Sequence, residues 1–270
     1  MKKISIFRLA IVGAYLLSGI VLTVNGVTAQ ELLKYACSNQ VFNAFEMDNL
    51  KEFTKTTGIE MDVHTASSGS CVYRLMNGYC DIASTARELY RRHQEYGYTQ
   101  IPFAKDPLAI IAHKRCGVEN LASEQLQDIF SGDITNWKEL GGADLPITII
   151  VPAEDTAANK NFRRQVMKHK EIKHDFMAYD STMVIEAVKH FPCSTISFIS
   201  QGAALHHEEI ITIKIDGYYP TDKDYPYYQI FYYIIRGEPA GDVKKFIDFT
   251  FSEQGAEILK RNGTLPIARK

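Results

Sequence analysis

From Leu32 onward, short apolar runs alternate with amphipathic stretches, and this alternation constrains the fold more than any other feature of the sequence. Leu32 to Ala36 reads as a strand, and Phe42, Phe45, Leu50 and Phe53 recur at roughly helical spacing as far as Thr57-Gly58. Ile59 to Val63 reads as a second strand, Val72 to Asn77 as a short helix ending at Gly78, and Asp81 to Ser84 as a third strand. Strands separated by helices predict βαβ units and a mostly parallel sheet, which binds ligands at the carboxyl ends of its strands.

The middle of the chain repeats the pattern. Ile101 to Ala104 and Leu108 to His113 are extended runs, with a turn predicted between them at Lys105-Asp106-Pro107. A helix is expected over 123–130, a polar loop to Gly142, a strand over 147–151, helices near 159–169 and 182–190, and a strand over 195–199. The last part carries Tyr218, Tyr219, Tyr225, Tyr227 and Tyr228, read as packing at a hinge rather than as a sugar platform. An apolar strand over 230–235 and two helices, 242–251 and 252–261, follow, with Gly263 as their stop. The expected division is a lobe of 30–107 with 217–270 and a second lobe of 108–216, joined by extended strands.

Residues 1–29 stand outside this pattern. Lys2, Lys3 and Arg8 precede an uncharged run from Leu9 to Leu22, and Val27-Thr28-Ala29 has small residues where a signal peptidase reads them. These features predict a secretory signal cleaved before Gln30 and hence a periplasmic or other extracytoplasmic protein. An uncleaved anchor is the alternative, although the run is short of the roughly 20 residues that a bilayer core requires. Without the leader the chain has 27 basic and 32 acidic residues, a net charge of −5. Nucleic acid is therefore not an expected partner, since phosphate-backbone binding needs a basic face.

The five cysteines, Cys37, Cys71, Cys80, Cys116 and Cys193, show no C-x-x-C spacing and no His cluster. Zinc, haem attachment and thioredoxin chemistry lack their signatures, and no cofactor is expected. One or two disulfides are expected, with pairing open. Cys37 and Cys71 adjoin candidate ligand loops, where they either bridge or remain small buried side chains.

Three loops have anion-binding chemistry. Thr65-Ala66-Ser67-Ser68-Gly69-Ser70 lies between a strand and a helix, where hydroxyls and backbone N–H groups converge on a helix N-terminus. A Ser N-cap with a Gly turn would give the same sequence without a ligand. Cys37-Ser38-Asn39 has the same placement. Asp81 through Arg87 puts a carboxylate, two hydroxyls and a guanidinium together, either as a surface pair or as a site where Asp81 accepts a hydrogen bond from a protonated oxyanion.

The run Ile129-Phe130-Ser131-Gly132-Asp133-Ile134-Thr135-Asn136-Trp137-Lys138-Glu139-Leu140-Gly141-Gly142 closely resembles a loop of the periplasmic phosphate-binding proteins of ABC importers. Ser67 to Ser70, Gly78 to Arg87, Phe103 to His113, Leu121 to Leu126, Tyr225-Pro226 and Phe249 to Gly263 follow the same family in order. The resemblance covers nearly all of the chain after the leader. It implies an α/β fold of the two-lobed type II periplasmic binding protein class, with mostly parallel sheets and crossing hinge strands.

The resemblance also implies ligand positions at Ser38 or Asn39, at Ser67, Ser68, Gly69 and Ser70, and at Asp81. In the second lobe the family has Arg and then Ser-Gly-Thr at a helix start. Here Thr156, Ala157 and Ala158 occupy the Ser-Gly-Thr positions, and Pro152 falls where the Arg would be. The implied function is a monomeric, non-enzymatic solute-binding protein that captures a small oxyanion, phosphate first, for an ABC permease. The altered second-lobe segment keeps open a periplasmic sensor or a binder of another small ligand. A hydrolase or redox protein using Cys71 or Cys37 with His64 is the weakest reading.

Overall fold

The computed structural model describes residues 32–191, 194–205 and 207–269; the leader and Cys193 lie outside them. β1 (Leu33–Ser38) leads into a continuous helical stretch made of α1 (Asn39–Val41), a π-helical turn (Phe42–Glu46) and α2 (Met47–Thr57). Gly58, at φ 71°, ends it by donating its N–H to Thr54 O at 2.8 Å. β2 (Met61–Ala66), α3 (Ser68–Met76), β3 (Ile82–Thr85), α4 (Arg91–Glu95) and β4 (Tyr98–His113) follow.

The middle block comprises β5 (Asn120–Leu121), α5 (Ser123–Ser131), β6 (Thr148–Pro152), α6 (Ala157–Gln165), β7 (Phe176–Ala178), α7 (Ser181–His190), β8 (Thr195–Ser200), α8 (Gln201–Ala204) and β9 (Ile210–Ile215). β10 (Tyr228–Arg236), α9 (Gly241–Thr250), α10 (Glu253–Arg261) and β11 (Leu265–Pro266) close the chain.

The main strand order is β2-β1-β3-β10-β4-β8-β6-β7. Pairing is parallel on both flanks, β2-β1-β3 and β8-β6-β7, and antiparallel in the middle, where β4 and β10 cross between the lobes. β4 is one continuous 16-residue strand, which corrects the predicted turn at Lys105-Asp106-Pro107. Tertiary partners satisfy the residues that look like turn formers: Gln229 stands opposite Asp106 and Tyr228 opposite Pro107. The Asp106 carboxylate is fully buried and hydrogen-bonded to side chains.

Each half has its own apolar core. One gathers Tyr35, Phe45, Phe53, Phe103, Tyr233 and Phe246, with the Phe103 and Tyr233 rings stacked at 4.1 Å. The other gathers Phe130, Trp137, Phe162 and Phe198, with Phe162 and Phe198 stacked at 3.8 Å. Tyr225 and Tyr227 also pack into this second core, and Tyr225 donates its hydroxyl to Leu108 O at 2.7 Å. Of the tyrosine run, Tyr225 and Tyr227 are thus packing beside β4, whereas Tyr218 is exposed.

The loop that carries the resemblance is scaffold. Asn136 caps the 3-10 turn Trp137–Leu140, and Glu139 accepts from the Asn136 N–H at 2.9 Å. Trp137 is buried and donates to Ser194 O at 2.8 Å. At Gly142 a Cβ would lie 2.4 Å from Cys116 O, so only glycine fits.

The expected disulfides are not formed among the described cysteines: Cys37, Cys71, Cys80 and Cys116 are buried free thiols. Each has a local place instead. Cys37 Sγ accepts from Ser84 Oγ at 3.3 Å and lies against Ser38 O, while Cys71 and Cys80 pack with Ala36 and Ala83. Burial pushes the Cys37 thiol well up and raises Cys71 to about 12, so neither presents the thiolate that nucleophilic or redox chemistry requires. His64 is exposed on β2, opposite Ala36.

Candidate functional site

The strand-to-helix junctions of both lobes open on one cavity of about 540 Å³. At the end of β1, Ser38 caps α1 by accepting from Val41 N at 3.4 Å, and Asn39 follows on the cavity wall. At the end of β2, Ser67 caps α3 by accepting from Ser70 N at 3.3 Å. Ser68 Oγ accepts from Ala86 N at 3.3 Å, tying this helix start to the loop after β3. Ser67, Ser68 and Gly69 all line the cavity.

The second lobe contributes Thr156, Ala157 and Ala158 at the start of α6. Thr156 accepts from Asn159 N at 3.2 Å and donates to Ala153 O at 2.7 Å, so its proton is committed to the loop. The first-turn N–H groups of Ala157 and Ala158 have no carbonyl four residues back within the helix. Helix starts from opposite sides thus turn their partial positive charge toward one space. Pro152 lies on the wall but, without a charged side chain or an N–H, supplies only shape.

Two expected positions fall elsewhere. Asp81 precedes β3, so it sits at the amino end of a strand whose parallel neighbours carry the cavity loops at their carboxyl ends. Its carboxylate accepts from Lys34 N at 2.9 Å, and it does not line the cavity. Ser70 is one turn too far along: its hydroxyl pairs with Ser67 Oγ at 3.0 Å, and it too is absent from the wall.

The residue that sequence reasoning left without a role is Arg87. Its guanidinium lies over Gly69, where a Cβ would be 3.6 Å from Nη2, and its Cζ is 4.9 Å from the Tyr90 ring centre. Arg87 lines the cavity and so brings a full positive charge to the first-lobe side. Its place in a run after Asp81 was legible; its direction was not. Ser200, Tyr179, Asp180 and Ser181 were also missed. Asp180 caps α7, accepting from Met183 N at 2.9 Å, but the preceding strand β7 has three residues and gives no periodic signal. Asp155 and Asp180 place two carboxyl groups on the second-lobe side.

A family model described as a PBP superfamily domain matches residues 26–254. The chain belongs to the PBP superfamily. Among relatives of this superfamily member, the phosphate-binding protein PstS of Borreliella burgdorferi is 28% identical over 234 residues, 80% of this chain and 82% of that one. The phosphate-binding protein PstS of Bacillus subtilis is 26% identical over 166 residues, 59% of this chain and 55% of that relative's length. A crystal structure of a putative phosphate ABC transporter substrate-binding protein with bound phosphate from Clostridium perfringens superposes with a TM-score of 0.74 at 24% identity, covering 88% of this chain and 100% of that one. PstS from Borrelia burgdorferi superposes at 0.62 with 22% identity, covering 88% and 99%. These likenesses establish the two-lobed type II architecture expected from the sequence.

Proposed function

We propose that this chain is an exported solute-binding protein that captures a small oxyanion, phosphate first, between its lobes and delivers it to an ABC permease. The observation that carries this reading is the meeting of three helix starts, at Ser38, Ser67 and Thr156, on one cavity that also holds the Arg87 guanidinium. The names of the Borreliella and Bacillus relatives support phosphate as the ligand. On this reading the lobes are 30–107 with 217–270 and 108–216, the mature protein is a periplasmic or extracytoplasmic monomer, and residues 1–29 are its signal. The ligand positions are Ser38, Asn39, Ser67, Ser68, Gly69, Thr156, Ala157 and Ala158, with Arg87 in place of the second-lobe Arg that Pro152 replaces. Ser70 and Asp81 act at one remove, by fixing Ser67 and the β1 backbone.

One observation favours the second reading, a sensor or a binder of another small ligand: Asp155 and Asp180 oppose a bare anion. Thermal unfolding with phosphate, sulfate and organic phosphates separates the two. Phosphate is expected to raise the melting temperature in proportion to the logarithm of its concentration. Arg87→Ala is expected to weaken phosphate binding by about 10- to 100-fold, the size of one charge-assisted hydrogen bond. No shift at millimolar phosphate together with a shift for another ligand would establish the second reading.

A further inference from the structure

A carboxylate is buried beneath the cavity, and its partners among the described residues include no cation. Asp106, on the crossing strand β4, is 0% exposed. Its Oδ1 accepts from Ser200 Oγ at 2.7 Å and its Oδ2 from Gln229 Nε2 at 2.5 Å. Every group that faces it is neutral: Ser200 and the Gln201 backbone from the β8-to-α8 junction, Gln229 from β10, and Gln40 from α1. The cations of the neighbouring positions on β4 and α6 have other partners. Lys105 Nζ lies 4.4 Å from the Tyr228 ring centre, and the Arg164 guanidinium bonds Asn161 Oδ1 at 2.8 Å, two amides away along Gln229 and Asn161.

Ser200 connects this carboxylate to the ligand space. It is 4% exposed, stands at the carboxyl end of β8 and lines the cavity. A hydroxyl has one proton to donate, and an ionised carboxylate can only accept. While Asp106 is charged, the Ser200 proton is therefore held inward, and only oxygen lone pairs remain for the cavity side. An oxyanion would meet lone pairs and, behind them, a buried negative charge. Once Asp106 is neutral, its own proton can be donated to Ser200 Oγ, and the Ser200 proton is free to turn outward. The Gln229 contact survives, because Oδ2 still accepts from Nε2.

We propose that Asp106 and Ser200 form a proton-linked relay in the cavity floor, in which oxyanion binding is coupled to protonation of Asp106 and Ser200 becomes a hydrogen-bond donor to the bound anion. The proposal rests on the oxyanion reading of the cavity. Ser200 is the binding residue, and Asp106 is a positioning residue that acts through it. Burial, which raises the Asp106 carboxyl to about 6, places its titration where an anion arriving nearby can complete the protonation close to neutral pH. Because linkage is reciprocal, acidification tightens anion binding as far as anion binding draws in the proton.

The test is calorimetric titration of inorganic phosphate into the full mature protein, Asp106→Asn and Ser200→Ala from pH 5 to pH 8. Phosphate's own ionisation is common to all three proteins and cancels in ratios of their dissociation constants. Asp106→Asn, neutral at every pH, is expected to bind about 10-fold tighter than the unsubstituted protein at pH 8 and equally at pH 5. Ser200→Ala is expected to match the unsubstituted protein at pH 8 and to bind about 10-fold more weakly at pH 5. Repeating the titration near pH 7 in buffers of different ionisation enthalpy should count more protons taken up per phosphate by the unsubstituted protein than by Asp106→Asn. Ratios that stay constant from pH 5 to pH 8 overturn the relay alone. Absence of phosphate binding in all three proteins overturns the oxyanion reading and the relay with it. Should Asp106→Asn fail to fold, the Ser200→Ala ratio decides by itself, since a flat ratio overturns the proposal and a rising one supports it.

Discussion

Glu46 shows how far a single residue departs from what its neighbours in sequence suggest. It follows Phe45 in the π-helical turn and is 0% exposed, facing the Tyr233 hydroxyl at 3.2 Å, which in turn pairs with Thr250 Oγ1 at 2.9 Å. Burial raises its carboxyl to about 8, above its ordinary range, so the folded protein holds a proton there that the unfolded chain releases. The sign follows: this group's contribution is fully present below about pH 4.5 and is lost as pH rises through 8. Glu46→Gln, neutral at any pH, is expected to gain stability relative to the unsubstituted protein between pH 5 and pH 9, by about 4 kcal/mol. Urea denaturation at the two pH values measures the difference, and an equal difference at both would refute it. Arg87 and Asp81 make the same point for the site. Both were visible seven and one residues into the same motif, yet only the strand direction tells that the first faces the cavity and the second faces Lys34.

At the scale of elements, most helices and strands were readable because their ends carry local chemistry. Ser67 and Thr156 cap α3 and α6 with their own hydroxyls, and Gly58 and Gly132 end helices with positive φ. Thr156→Ala is therefore expected to cost about 1 kcal/mol of stability in denaturant titration, with Thr156→Ser close to neutral. Because that cap holds the loop leading to Ala157 and Ala158, the Ala variant should also weaken ligand binding, while Ser should not. Short elements escaped notice. β5, β7 and β11 have two or three residues each, too few for a period to register. β4 escaped for the opposite reason: its middle residues have turn propensity, which pairing with β10 and burial against Ser200 override. The π turn left a trace in the spacing, since Phe45 and Leu50 are five apart where a regular helix would bring apolar residues back after three or four.

For the whole molecule, the cavity depends on cores lying behind it. Phe162, one turn inside α6, stacks on Phe198 of β8 at 3.8 Å and lies 4.6 Å from Phe130, so the cavity-facing start of α6 is held from its buried side. Phe162→Ala is expected to destabilise the protein by about 3–5 kcal/mol and to lower ligand affinity as α6 loses its seat; denaturation and calorimetry on one preparation test both. Composition, charge and the alternation of strands and helices determined by themselves that the chain is an α/β protein, that the Ser-rich loops lie at strand ends, and that any bound anion must be held by local geometry rather than by net charge. They could do so because propensity, caps and periodicity are local properties. Only the tertiary structure decided that β4 runs unbroken across both halves, that the described cysteines are buried free thiols, that Arg87 rather than Asp81 reaches the cavity, and that Asp106 lies under Ser200. Those outcomes depend on which distant residues supply the partners of a buried polar group, and a partner more than a hundred residues away, as Gln229 is from Asp106, leaves no mark on the local sequence.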